Sequence, residues 1–219
     1  MLQDLNEISD GKVYSCNDMA RVACNDCEGC HACCENMGSS IVLDPMDMWR
    51  LSAATGKGFE ALLADEIELT VVDGLILPNL KMTAEKNQCR FLNEAGRCSI
   101  HAYRPGLCRV FPLGRIYEKQ GISYFVQRNA CQKTNRSKVK VSKWLDMPQL
   151  REYEKFLSKW HRLRKSVQER VAAETDETAV KTINMFVLNL FFVTAYDTEQ
   201  DFYPQFYARV QQAEQTGIC

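Results

Sequence analysis

The stretch from Cys24 to Cys34, CNDCEGCHACC, sets Cys24, Cys27, Cys30 and Cys33 at steps of three, with Cys34 directly behind them. Nothing else in the chain restricts its folding as strongly. A gap of two residues lets both thiolates of a C-x-x-C turn reach one metal, because the chain folds back with its amides facing the sulfurs. Neighbouring side chains diverge, so Cys33 and Cys34 chelating one small tetrahedral ion would be strained. The run therefore predicts two metal centres or one polynuclear centre.

A second group completes the donor set. The segment CRFLNEAGRCSIHAYRPGLCRVFP carries Cys89, Cys98 and Cys108 with a possible nitrogen donor at His101, and Cys131 follows further on. Gly96 is placed to turn the chain between Cys89 and Cys98, and Pro105 and Gly106 to bend it before Cys108. A four-thiolate zinc site carries a net charge of about -2, which makes Arg104 and Arg109, bracketing Cys108, candidate guanidinium donors to the bound sulfurs. Soft thiolates select zinc, copper(I) or iron–sulfur clusters over hard cations. Cys24, Cys27, Cys30 and Cys34 reproduce a ferredoxin spacing, with Glu35 where proline would follow. The remaining long, irregular gaps are those of structural zinc sites. Iron–sulfur and zinc both stay open, with the ferredoxin spacing tipping the balance to iron–sulfur.

Composition supports metal over disulfides. The chain has 11 cysteines in 219 residues. Its start, MLQDLNEISDGK, lacks the basic and apolar character of an export signal, which points to the cytoplasm, where thiols stay reduced. Lysine and arginine total 27 against 28 acidic residues, a net charge of -1. That gives no global attraction to nucleic acid or to an anionic membrane surface. The longest apolar run, Ile183 to Ala195, falls short of the roughly 18 residues of a membrane span and reads as a buried helix.

All but one of the cysteines lie between Cys16 and Cys131. Residues 1–140 are accordingly read as a metal-binding domain and residues 141–219 as a helical region packed on it. The expected fold class is α+β, a metal-stapled cysteine-rich domain with two short β-hairpins and a helical C-terminal part. Asp44, Pro45 and Gly56 predict the cap, first turn and stop of a helix. Asp73-Gly74, between two β-rich runs, predicts one hairpin, and the segment around Gly121 predicts the other. Periodic patterns predict helices over Trp144 to Val171, Thr178 to Ala195 and Pro204 to Gln215.

CEGCHACC, then IVLDPMDMWRL, CRFL and GRCSIHAYRPGLCRVFP, with a late cysteine, resembles the YkgJ-type cysteine-cluster family, a zinc- or iron-chelating domain, over residues 24 to 131. The resemblance implies Cys27, Cys30, Cys33, Cys34, Cys89, Cys98, Cys108 and Cys131 as metal ligands. Cys24 is additional to the family pattern, and His101 stands where a tyrosine-like residue is usual. The implied function is coordination of metal ions, with a redox or metal-handling role. The same motif occurs in the flagellin lysine methylase, which implies as an alternative an iron–sulfur enzyme of protein or small-molecule modification such as methyl transfer. A third reading is a zinc-stapled adaptor whose helices bind a protein partner. Whether the chain is an enzyme stays open.

Other features carry less. Cys16 reads as a plain thiol and Cys219 as a tail residue. His31 has unhelpful spacing, and His161 reads as a solvated helix residue. TGKGFE lacks the frame of a phosphate loop. The basic stretch Lys133 to Trp144 reads as a solvated linker.

Overall fold

The computed structural model describes residues 5–24, 30–119, 121–133 and 135–218. Its architecture is α+β: short antiparallel strand pairs followed by a helical C-terminal part. After a one-turn helix α1 (Leu5–Ile8), strand β1 (Met19–Ala23) leads straight to Cys24. Helix α2 (Pro45–Thr55) begins as its sequence dictates. The Asp44 carboxylate accepts from the Asp47 amide at 2.9 Å, and Asp47 returns the bond to the Asp44 amide at 3.0 Å. Gly56, at φ 69°, ends the helix in the left-handed conformation that glycine adopts without strain.

Helix α3 (Phe59–Asp65) leads into a hairpin of β2 (Ile67–Val72) and β3 (Leu75–Leu80). Asp73 and Gly74, at φ 47° and 83°, make its two-residue turn. The free edge of β3 takes the chain before α2, through Leu43 N–H to Pro78 O at 2.8 Å and Leu80 N–H to Ile41 O at 3.0 Å. Helix α4 (Gly106–Val110) precedes a second hairpin of β4 (Leu113–Glu118) and β5 (Gly121–Val126). Gly121 pairs with Glu118 as the first residue of β5.

A third pairing was not foreseen. Strand β6 (Ser137–Lys140) lies antiparallel to β1, with Ala20 opposite Val139. The stretch expected to be a solvated linker is thus part strand, part helix α5 (Val141–Leu145), whose Val141 and Leu145 are buried. The predicted helix from Trp144 is also broken. Asp146 and Gln149 take left-handed φ of 47° and 52° on either side of Met147-Pro148, and Pro148 itself disfavours helical geometry at Met147. The long helix α6 begins only at Leu150 and runs to Ala173. Its buried Tyr153, Phe156, Trp160, Leu163, Val167 and Val171 recur at helical spacing.

Helix α7 (Glu177–Leu188) passes into a π-helical turn, Asn189–Val193, and α8 (Phe202–Gln215) closes the chain. Aromatic rings weld these helices together. Phe156 meets Phe202 and Phe206 edge-on at 5.2 and 4.7 Å, and Trp160 packs on Phe191 at 5.1 Å. Such pairs add about 0.5 to 1.5 kcal/mol each beyond their burial. His161 is half-buried instead of solvated, stacked on Tyr117 of β4 at 3.9 Å. No helix among the described residues is long and apolar enough to cross a membrane.

Buried Asn184 ties α7 to the first hairpin, accepting from Ile76 N–H at 2.7 Å and donating to Gly74 O at 3.2 Å. Replacing it by alanine leaves both backbone groups without a partner. Asn184→Ala is expected to lower stability in urea denaturation by roughly 2 to 4 kcal/mol; a loss under about 1 kcal/mol would contradict this role.

Candidate metal centre

Three backbone devices bring the cysteine segments together. Pairing of β1 with β6 fixes Cys24 beside the chain that follows Cys131. The turn Ala32–Cys34 is closed by Cys34 N–H to His31 O at 2.7 Å, and Cys34 O then accepts from Cys89 N–H at 2.7 Å. That bond joins the two halves of the constellation directly. Gly96, at φ 69°, turns the chain so that Leu92 and Cys98 pair, and its lack of a side chain admits the His31 ring, which a Cβ there would meet at 3.0 Å.

These segments surround a cavity of about 640 Å³. Cys24, Cys30, Cys33, Cys34, Cys89, Cys98, Cys108 and Cys131 all line it, together with His31 and His101. Cys27 lies outside the described residues, as does Cys219. Cys16 stands apart, in a shallow groove with Gln149 and Glu154. Cys16, Cys30, Cys33, Cys34, Cys89, Cys98, Cys108 and Cys131 are free thiols. Among the described residues no three donors stand in a closed coordination sphere. The eight sulfurs instead share the walls of one cavity, and as a donor set they suit a soft metal.

Charge around the sulfurs is arranged unevenly. Among the described residues, Arg97, Arg104, Lys133 and Lys143 line the cavity against one carboxylate, Asp146. Cys33 accepts a hydrogen bond from the Cys34 thiol, and that bond, helped by Arg104 and His31, draws the Cys33 thiol below its ordinary range. The same bond, with burial and the surrounding thiols, pushes Cys34 far up. Burial raises Cys89, Cys98 and, most strongly, Cys108.

The two arginines bracketing Cys108 part company. Arg104 lines the cavity, donates to His101 O at 3.0 Å, and its charge favours the thiolates of Cys33 and Cys98. Arg109 does not line it. It is 3% exposed and turned to the backbone, donating to Arg104 O at 3.2 Å, to Asp146 O at 2.8 Å and to Ala102 O. The spacing around Cys108 carries no sign of this division, since both arginines flank the same bend.

Clustered thiols on one partly cationic cavity make a donor set of the class that suits a soft metal. The sequence profile of the CxxCxxCC family, described as a proposed zinc- or iron-chelating domain, matches residues 26–149, more than half of the chain, and the chain belongs to that family. No curated protein and no solved structure matches it.

Two outcomes are expected. Arg104→Gln should weaken metal affinity about tenfold with the fold intact. Arg109→Gln should instead lower stability by roughly 2 to 4 kcal/mol through its lost carbonyl bonds. Indicator competition and thermal melting separate them, and the same result for both variants would overturn the division. In metal-free protein near neutral pH, iodoacetamide should label Cys33 ahead of Cys34, Cys89 and Cys108, because the thiolate is the nucleophile. Peptide mass spectrometry reads the order, and equal rates at Cys33 and Cys34 would refute it.

Proposed function

We propose that the chain holds a polynuclear thiolate centre, iron–sulfur in the first instance, in the cysteine-lined cavity, and that it has a redox or metal-handling role. One observation carries this reading: eight described sulfurs share a single cavity of about 640 Å³. A structural zinc takes four ligands at about 2.3 Å, so one such ion uses half of the sulfurs and little of the space. When bound, an iron–sulfur centre supplies one-electron transfer. The part played by the chain is to ligate through Cys24, Cys30, Cys33, Cys34, Cys89, Cys98, Cys108 and Cys131, with Cys27 from the same motif. The positive rim offsets the thiolate charge, and Ile41, Leu80, Phe91 and Phe111 give the cavity an apolar wall. In this reading residues 1–140 carry the centre and residues 141–219 pack on them as a helical region, in a reducing, cytoplasmic setting.

Anaerobic purification followed by metal analysis, sulfide assay and absorption spectroscopy tests it. Iron with acid-labile sulfide is expected, and Cys30→Ser, Cys34→Ser and Cys108→Ser should lose most of it while Cys16→Ser keeps the parent's content. Zinc without sulfide would overturn the iron–sulfur assignment, and equal metal in Cys16→Ser and Cys108→Ser would overturn the ligand set.

A further inference from the structure

We propose that Asp47 and Arg115, which lie outside every cysteine motif, are positioning residues that set Cys108 at the metal cavity by gripping the peptide groups of Gly106 from two sides. The inference rests on reading the cavity as a metal centre. Asp47 is 3% exposed and divides its carboxylate. One oxygen accepts from Asp44 N–H at the start of α2, and the other accepts from Gly106 N–H at 2.7 Å, at the start of α4. Arg115, on β4, donates to Gly106 O at 2.9 Å and shares the same nitrogen with the Tyr153 hydroxyl at 3.1 Å.

Gly106 is thus held on its donor by an acid and on its acceptor by a base. Its surroundings leave no room for a side chain, since a Cβ would stand 2.4 Å from the Tyr153 hydroxyl. Cys108 follows two residues later in the same five-residue helix and lines the cavity. So short a helix has little stability of its own, and its direction comes from what holds its ends. At the far end Arg109 holds the loop carbonyls, and Arg50 of α2 reaches one of them, Ala102 O, at 3.2 Å. The first-turn aspartate that completes the capping box of α2 therefore also aims a cysteine met 61 positions later in the chain.

The test uses the full chain, with Co²⁺ as the thiolate probe and metal-free alkylation as a readout independent of metal. Asp47→Ala is expected to weaken Co²⁺ binding by about 10 to 100-fold and to lose part of the cobalt–thiolate absorption, as Cys108→Ser does. It should also raise the alkylation rate of Cys108 about tenfold while leaving Cys16 unchanged. Asp47→Asn, which keeps an acceptor for Gly106 N–H, should stay near the parent. Phe206→Leu, a core change in α8, should lower the melting temperature without moving either readout. If Asp47→Ala does not fold, Arg115→Lys decides, with the same direction expected for both readouts. A folded Asp47→Ala, or failing that Arg115→Lys, that matches the parent in cobalt affinity and Cys108 labelling overturns the proposal, as does Phe206→Leu reproducing the Asp47→Ala changes. A parent that binds no cobalt would count against the metal reading, and the Cys108 labelling would still decide the positioning role.

Discussion

A carboxylate kept from water is tolerated only when donors take its lone pairs, and Asp47 meets that demand with amides from two distant parts of the chain. The bond to Gly106 spans 59 residues and locks the start of α2 to the start of α4. Charge around it is balanced by burial. Asp44 and Asp47 face a single buried guanidinium, Arg115. Burial, and then the nearby Asp47 charge, push the Asp44 carboxyl up to about 8. Burial raises the Asp47 carboxyl as well, against the opposing charges of Arg115 and Arg50. Both hairpins and the long helix register on this junction, because Arg115 comes from β4, Tyr153 from α6, and the chain entering α2 lies along β3.

From that junction the cysteine cavity acquires one firm wall and several softer ones. Cys108 sits on a helix whose ends are held by charged side chains, and Cys89 is tied by its amide to Cys34. Cys33 sits in a single 3₁₀ turn, and Cys131 on the irregular chain between β5 and β6. Four basic side chains on the cavity lower the cost of gathering thiolates there. They leave the sulfurs themselves to soft metal, since none of these cations competes as a ligand.

Much of this was legible in the sequence where the physics is local. The capped helix after Asp44, the Asp73-Gly74 hairpin and the turn at Gly96 each depend on a few adjacent residues with special backbone preferences, and each stands where its sequence puts it. The segments that carry the cysteine motifs lie together in the fold, since eight of the nine proposed ligands line one cavity and Cys27 lies outside the described residues. What stayed hidden was non-local. Strand β6 pairs with a strand 114 to 121 residues earlier and shows only a short basic stretch with one packed valine, Val139, so its charge masked its pairing. The break at Pro148 is different in kind: it is a local signal within the Trp144 to Val171 pattern, passed over because the apolar period continues on either side of it. Arg104 and Arg109 look equivalent around Cys108, and only the fold turns one to the cavity and the other to carbonyl oxygens. Asp47 had no role in the sequence reading of the helix that begins at Asp44 and Pro45, and its second bond belongs to a residue far along the chain.

The distribution of regular structure explains why a centre in this cavity would matter to the fold as well as to chemistry. Around α6, the π-helical turn and α8, a dense set of aromatic contacts and buried side chains holds the helices without help from any cysteine. Between β3 and α4 the chain has no strand beyond isolated bridges, and its order comes from short turns such as Asn93 N–H to Arg97 O at 2.9 Å and Ser99 N–H to Phe91 O at 2.8 Å. Single hydrogen bonds of this kind contribute about 1 kcal/mol each, comparable with the entropy of fixing one residue. Thiolate–metal bonds joining Cys89, Cys98 and Cys108 to the segment Cys30 to Cys34 would close those loops at several points at once, and the free energy of binding metal becomes free energy of folding for that region. The helical end, already packed, reaches this region through the Tyr153 hydroxyl of α6, which accepts from Arg115, the same side chain that donates to Gly106 O. The Asp47–Gly106 bond lies on the cysteine side of that contact, so the packed helices bear on Cys108 through the residues that hold Gly106.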